Sequence, residues 1–136
     1  MRTTLWLAAA GLMTALAGCG QGEAARNVNN VVPVSGKIVL ADGRPAANLW
    51  VSFNAKDPPG NDANGPTEPD GSFKLGTFAK ADGAIPGNYV VTISPHPNAK
   101  SGVPSIPAAY TSAKNSPLKI EIKSSGSELL PTITLK

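Results

Sequence analysis

Beyond residue 18 the chain never sustains a 3.6-residue apolar period, and proline and glycine recur too often for long helices. Most of the chain's thirteen prolines and fourteen glycines fall between short β-favouring runs, so the segments read as strands joined by turns. Val34 to Leu40 puts Val34, Ile38 and Leu40 on one face and Ser35 and Lys37 on the other. Ala41-Asp42-Gly43-Arg44-Pro45 then turns the chain. A second strand, Leu49 to Phe53, directs Leu49, Val51 and Phe53 inward and Trp50 outward. The segment from Lys56 to Pro66 is polar and rich in turn residues, and is read as a loop.

Pro69-Asp70-Gly71-Ser72 delivers a third strand, Phe73 to Phe78. Tyr89 to Ile93 carries apolar residues on both faces, the pattern of a central strand, whereas Leu118 to Lys123 alternates as a half-exposed one. A last strand runs from Leu129 to Leu135, and Pro131, which has no donor for a ladder, makes it an edge or bulged strand. Six or seven turn-bounded strands are expected to form an all-β, antiparallel β-sandwich, in which alternating faces bury one core.

The N-terminus follows a different logic. Arg2 precedes an apolar run from Leu5 to Leu16 that falls well short of the roughly 20 residues a bilayer-spanning helix needs, and small residues Ala17 and Gly18 precede Cys19, the only cysteine. This is the layout of an export signal. Leu16-Ala17-Gly18-Cys19 resembles the bacterial lipobox, a resemblance that implies cleavage before Cys19 and fatty acylation of its thiol. Residues 1–18 are then a lipoprotein signal peptide, 19–33 a lipidated cysteine and polar tether, and 34–136 the folded domain. The same resemblance, with Gly20 where enterobacterial lipoproteins carry an inner-membrane retention aspartate, implies an extracytoplasmic place in the bacterial cell envelope and, in a two-membrane bacterium, the outer membrane. With a single cysteine no intrachain disulfide can form, so the domain must hold together by its core alone.

Once the signal is removed, eleven basic and nine acidic side chains remain. Lysines 37, 56, 74, 80 and 100 stand singly along the chain without a stripe or an aromatic platform, and no nucleic-acid partner is expected.

The strand and turn residues Val34 to Pro45, Val51-Ser52-Phe53, Asp70-Gly71-Ser72-Phe73, Ile85 to Ile93 and Ser116-Pro117-Leu118 resemble the carboxypeptidase regulatory-like, transthyretin-like domains of short planctomycete lipoproteins. The resemblance spans most of residues 34–135 and implies a seven-stranded prealbumin-like, Ig-like sandwich with no established activity. That family tends toward Thr-Asp-x-Asp-Gly before the third strand, where this chain has Thr67-Glu68-Pro69-Asp70-Gly71, a departure that keeps the turn and weakens any carry-over of a metal role. Transthyretin-like hydrolases end in Tyr-Arg-Gly-Ser; this chain ends Pro131-Thr132-Ile133-Thr134-Leu135-Lys136.

His96, the only histidine, lies between two prolines and is read as a loop residue, because no serine or aspartate arrangement supports a triad. Neither catalytic residues nor a cofactor are expected. Asp57, Asp62 and Asp70 are the carboxylates a calcium ion would use, although the preferred reading is that they keep their loops solvated. Trp50 and Tyr110 are the aromatic residues that could contact a ligand, unless the loop from Ala99 to Asn115 covers Trp50. The expectation is a membrane-anchored, non-catalytic β-sandwich whose partners are the bilayer, through acylated Cys19, and envelope proteins or polysaccharide. A carbohydrate-binding module and a calcium-stabilised adhesion-type module stand as alternatives.

Overall fold

The computed structural model describes residues 30–57 and 60–136. The export signal, Cys19 and most of the tether therefore lie outside the described residues. Eight strands follow in order: β1 (Val34–Leu40), β2 (Leu49–Ala55), β3 (Ala63–Pro66), β4 (Ser72–Lys74), β5 (Gly87–Pro95), β6 (Lys119–Ile122), β7 (Glu128–Leu129) and β8 (Ile133–Leu135). They form two four-stranded sheets, one ordered β4-β1-β7 with β8 also paired to β1, the other ordered β3-β2-β5-β6. A single 3-10 turn at Ala108–Thr111 interrupts the loop between β5 and β6. No helix among the described residues is long and apolar enough to cross a membrane.

The alternation anticipated in β1 is present, with Val34, Ile38 and Gly36 buried and Lys37 exposed. β5 lies between β2 and β6, as its two apolar faces suggest, and β6 buries Ile122 while exposing Lys119 and Glu121. Phe53 of β2 meets Phe73 of β4 at 6.2 Å and Tyr89 of β5 at 5.9 Å, ring centroid to centroid, so aromatic packing joins the sheets across the core. Each such fully buried side chain contributes about 1.5 to 3 kcal/mol.

The strand expected over Phe73 to Phe78 ends at Lys74 as β4, and the residues after it enter a loop; three further expectations need correction. The segment 56–66 is not all loop: β3 pairs with β2 from Phe53↔Ala63 to Trp50↔Pro66. Its residues, Ala-Asn-Gly-Pro, have little strand propensity of their own, and pairing and burial override it. Gly65 is needed there because a side chain would run into the Lys74 carbonyl.

The sandwich is also not wholly antiparallel, since β7 and β8 both run parallel to β1. A parallel neighbour needs a long crossover, and the excursion through β2 to β6 supplies it. These two strands are the halves of the expected C-terminal strand, broken at Pro131. Three steps along β1, from Ser35 to Ile38, face four along the C-terminal segment, from Leu129 to Ile133, so one residue is bulged out where the donor is missing. That break makes the count eight where seven were anticipated.

The third correction concerns the domain boundary. Val32 exchanges backbone hydrogen bonds with Ala84 at 2.8 and 2.9 Å and is buried in the core, so the folded unit includes at least the two residues before Val34. The buried hydrophobic residues of the core lie between Val32 and Leu135.

Candidate functional site

The register of β1 and β4 decides what their outer face presents. Gly36 and Phe73 point inward, which leaves Ser35 beside Lys74 and Lys37 beside Ser72 on the solvent side. The sheets are linked here, because bridges Asn64↔Gly76 and Thr67↔Phe73 connect β3 to the β4 segment. The outer surface consequently runs without interruption from β1 across β4 to β3, and Pro66 stands opposite Trp50. On the other side of β1, Ser35 pairs with Leu129.

A groove of about 1100 Å³ follows this surface. Its apolar contributors include Trp50, Phe78 and Leu129, and its charged ones are Lys37, Lys74, Lys80 and Glu68. The large apolar side chains that stand exposed among the described residues are Phe78, at 36 %, and Leu129, at 80 %. Both border this groove. Among the described residues the only ion pair within 4.0 Å joins Asp42 to Arg44, so none of the three lysines is neutralised by a carboxylate in contact.

The wall carrying Phe78 and Lys80 is shaped by Asp82. Its carboxylate accepts the backbone N–H groups of Thr77 at 2.7 Å, Phe78 at 3.1 Å and Ala79 at 2.9 Å. Thr77 Oγ1 donates to the Gly83 carbonyl at 2.8 Å and closes the loop. Ala81 adopts φ +57°, a left-handed conformation that costs a non-glycine residue about 1 to 2 kcal/mol.

Trp50 is half-buried. Its ring meets His96 edge-on, with centroids 5.6 Å apart and planes at 70°, and it lines the groove. Tyr110 is in the core, 7 % exposed, with its hydroxyl accepting the Lys136 N–H at 3.4 Å. The two aromatic residues anticipated as ligand contacts are therefore not a pair, and Tyr110 is corrected to a packing residue. The loop from Ala99 to Asn115 applies Val103, Ile106 and Tyr110 to the core. His96 Nδ1 accepts the Asn98 N–H at 3.1 Å within its own turn.

The three aspartates considered for calcium are not brought together. Asp57 and Asp62 border a second cavity of about 860 Å³, where Asp57 accepts from Asn88 Nδ2 at 3.2 Å and Asp62 from the Ala55 N–H at 2.8 Å. Asp70 is elsewhere and orders the turn into β4, accepting the Ser72 N–H at 2.9 Å and its Oγ–H at 2.6 Å. Those hydrogen bonds, with a smaller contribution from the Lys37 charge, hold the Asp70 carboxyl below its ordinary value. No group of three or more histidine, cysteine, aspartate or glutamate residues suited to a metal occurs among the described residues.

In the sequence Lys37, Lys74 and Lys80 are scattered, and no local signal marks Phe78, Leu129 or Asp82 as site residues. The outward face of β1 was legible, so Lys37 could have been placed. Pairing with Lys74 and Leu129 depends on strand order, which no local pattern carries.

No protein-family model and no curated protein matches the chain. Among solved structures, a 9R-lipoxygenase from Cyanothece resembles it with a TM-score of 0.41 and 13 % identity over 79 % of this chain and 17 % of that one. The chain thus spans about a sixth of that enzyme's length, and a likeness of this degree carries no argument about fold or activity.

Proposed function

We propose that this chain is an exported lipoprotein, acylated on Cys19, whose β domain is a non-catalytic module for contact within the cell envelope. The lysine-rimmed groove is its contact site. The observation that carries the reading is that Phe78 and Leu129, the large apolar side chains exposed among the described residues, border the same groove as three lysines, none of which contacts a described carboxylate within 4.0 Å. Isolated exposed apolar residues are ordinary, whereas their grouping in one concavity with charge around it is the pattern of a binding surface.

In this reading the fold is the prealbumin-like sandwich of the transthyretin-like domains. Support for this reading comes from counting β7 and β8 as one bulged strand, which gives seven strands. The carbohydrate-binding reading retains one observation in its favour, Trp50 lining the groove beside the lysines.

Metabolic labelling with a fatty acid tests the anchor. The wild type should incorporate label and fractionate with membranes, and Cys19→Ser should do neither. Equal labelling of both forms would overturn the lipoprotein reading.

A further inference from the structure

We infer that the groove face docks on an anionic lipid surface, with Leu129 and Phe78 entering the interfacial layer and Lys74 and Lys80 facing the headgroups. This rests on the lipoprotein reading, since the anchor is what keeps a bilayer within reach.

The position of the face in the fold carries the argument. Ser35 pairs on one side with Lys74 and on the other with Leu129, so a single row across three strands holds a lysine and the most exposed apolar side chain. That row lies three residues along the chain from Val32, about 10 Å at strand rise. The Phe78 loop begins and ends at the same place, because Gly83 N–H donates to the Leu75 carbonyl and Ala84 bridges Val32. Leu129, Phe78, Lys74 and Lys80 therefore gather at the end of the domain where the chain arrives from Cys19.

The carboxylates near this end are each hydrogen-bonded within the domain: Asp57 and Asp62, which border the adjoining cavity with Asn30 and Phe78, accept from Asn88 Nδ2 and the Ala55 N–H. Asp82 accepts three backbone N–H groups, and Glu128 accepts the Lys123 N–H at 2.9 Å. Glu68 and Asp70 belong with Lys37, farther along β1, beside Ser72. Exposed apolar tips flanked by lysines are the composition that lies down on anionic headgroups, where each lysine strengthens association about fivefold. Twelve residues lie between Cys19 and Val32, a link that could span at most about 45 Å, so the tether brings the domain to the bilayer without dictating which face meets it.

The test uses the acylated protein. Its only cysteine is blocked by lipid, so Leu129→Cys adds a single free thiol for an environment-sensitive fluorophore, and Lys119→Cys on exposed β6 gives the control. Both proteins are reconstituted in vesicles of phosphatidylcholine alone or with phosphatidylglycerol. A blue shift at position 129 that needs phosphatidylglycerol, is absent at 119, and is reversed by salt supports the proposal. Lys74→Gln with Lys80→Gln should then lower the docked-to-undocked ratio about 25-fold.

No shift at 129, or equal shifts at both positions, overturns it. So does a shift at 129 produced by an acidic polysaccharide but not by the lipid, which would move the groove to the carbohydrate reading. Thiol labelling of the parent chain at Cys19 would instead show that the cysteine is free, a failure of the lipoprotein reading itself.

Discussion

Replacing Gly71 by alanine should cost far more than the same change at Gly43, although both glycines have nearly the same backbone conformation. Their φ values are +80° and +86°. A left-handed alanine costs about 1 to 2 kcal/mol at either position, partly offset by about 0.4 to 1 kcal/mol from the stiffened unfolded chain. At Gly43 nothing lies within 4 Å of the added methyl, and the net effect should be about 1 kcal/mol. At Gly71 the methyl would fall on the Ile38 carbonyl oxygen and within 3.1 Å of the Ala46 nitrogen. Ile38 is held at both of its backbone polar groups, since its N–H donates to the Gly71 carbonyl at 2.8 Å and Ala46 N–H donates to the Ile38 carbonyl at 3.0 Å. Making room strains or breaks two hydrogen bonds worth about 0.5 to 1.5 kcal/mol each, bringing the total to about 3 kcal/mol. A domain of this size has about 5 to 15 kcal/mol in all. Urea unfolding should show a midpoint shift at unchanged slope for both variants, and Tm should drop by about 4 to 8 °C per kcal/mol. Equal losses for Gly71→Ala and Gly43→Ala would refute the account of how this turn locks onto β1.

Tyr89→Phe should cost about 0.5 to 1.5 kcal/mol, because the hydroxyl donates to the Ile85 carbonyl at 2.6 Å. Burial, and secondarily the Asp62 charge, push the Tyr89 hydroxyl above its ordinary value of 10.0. Its contribution is thus complete below pH 10 and declines as pH rises through the folded value; alkaline melts of the Phe variant should lack that component. Asp70 has the opposite sign: its stabilising effect is present above its ordinary 3.8 and falls away as acid titrates the folded carboxyl, so Asp70→Asn should flatten the acid limb of a stability–pH curve while leaving neutral melts nearly unchanged. Ala81→Gly relieves a left-handed alanine at φ +57° and should leave stability the same or raise it by up to about 1 kcal/mol, whereas a clear loss would mean that the loop conformation is misassigned. Deleting residues 20–29 should leave Tm nearly unchanged, but Val32→Asp should lower it sharply, since Val32 is in the core.

Much of the fold was legible because alternation and turn chemistry are local. β1, β2, β5 and β6 announce themselves by which residues face inward, and Gly43 and Gly71 by turns that only positive φ can close. Pro131 foretold the bulge for the simple reason that it lacks a donor. What stayed hidden depends on partners distant in the chain. β3 is a strand only because β2 and the β4 segment flank it, and the parallel direction of β7 and β8 follows from where the chain returns after five intervening strands. The candidate site divides in the same way. Trp50 was placed outward correctly from strand period, but Tyr110 sits in a loop with no period to read, and burial took it into the core. Lys37, Lys74 and Lys80 become neighbours only when β1 meets β4 and Asp82 folds the next loop back beside them.

The most direct test of the central claim is the intact mass of the protein purified from membranes, together with that of its N-terminal peptide. The account predicts a chain that begins at Cys19, without residues 1–18, and carries the added mass of a diacylglycerol on the cysteine thiol. A membrane-extracted protein that retains residues 1–18, or begins elsewhere with an unmodified Cys19, would contradict it.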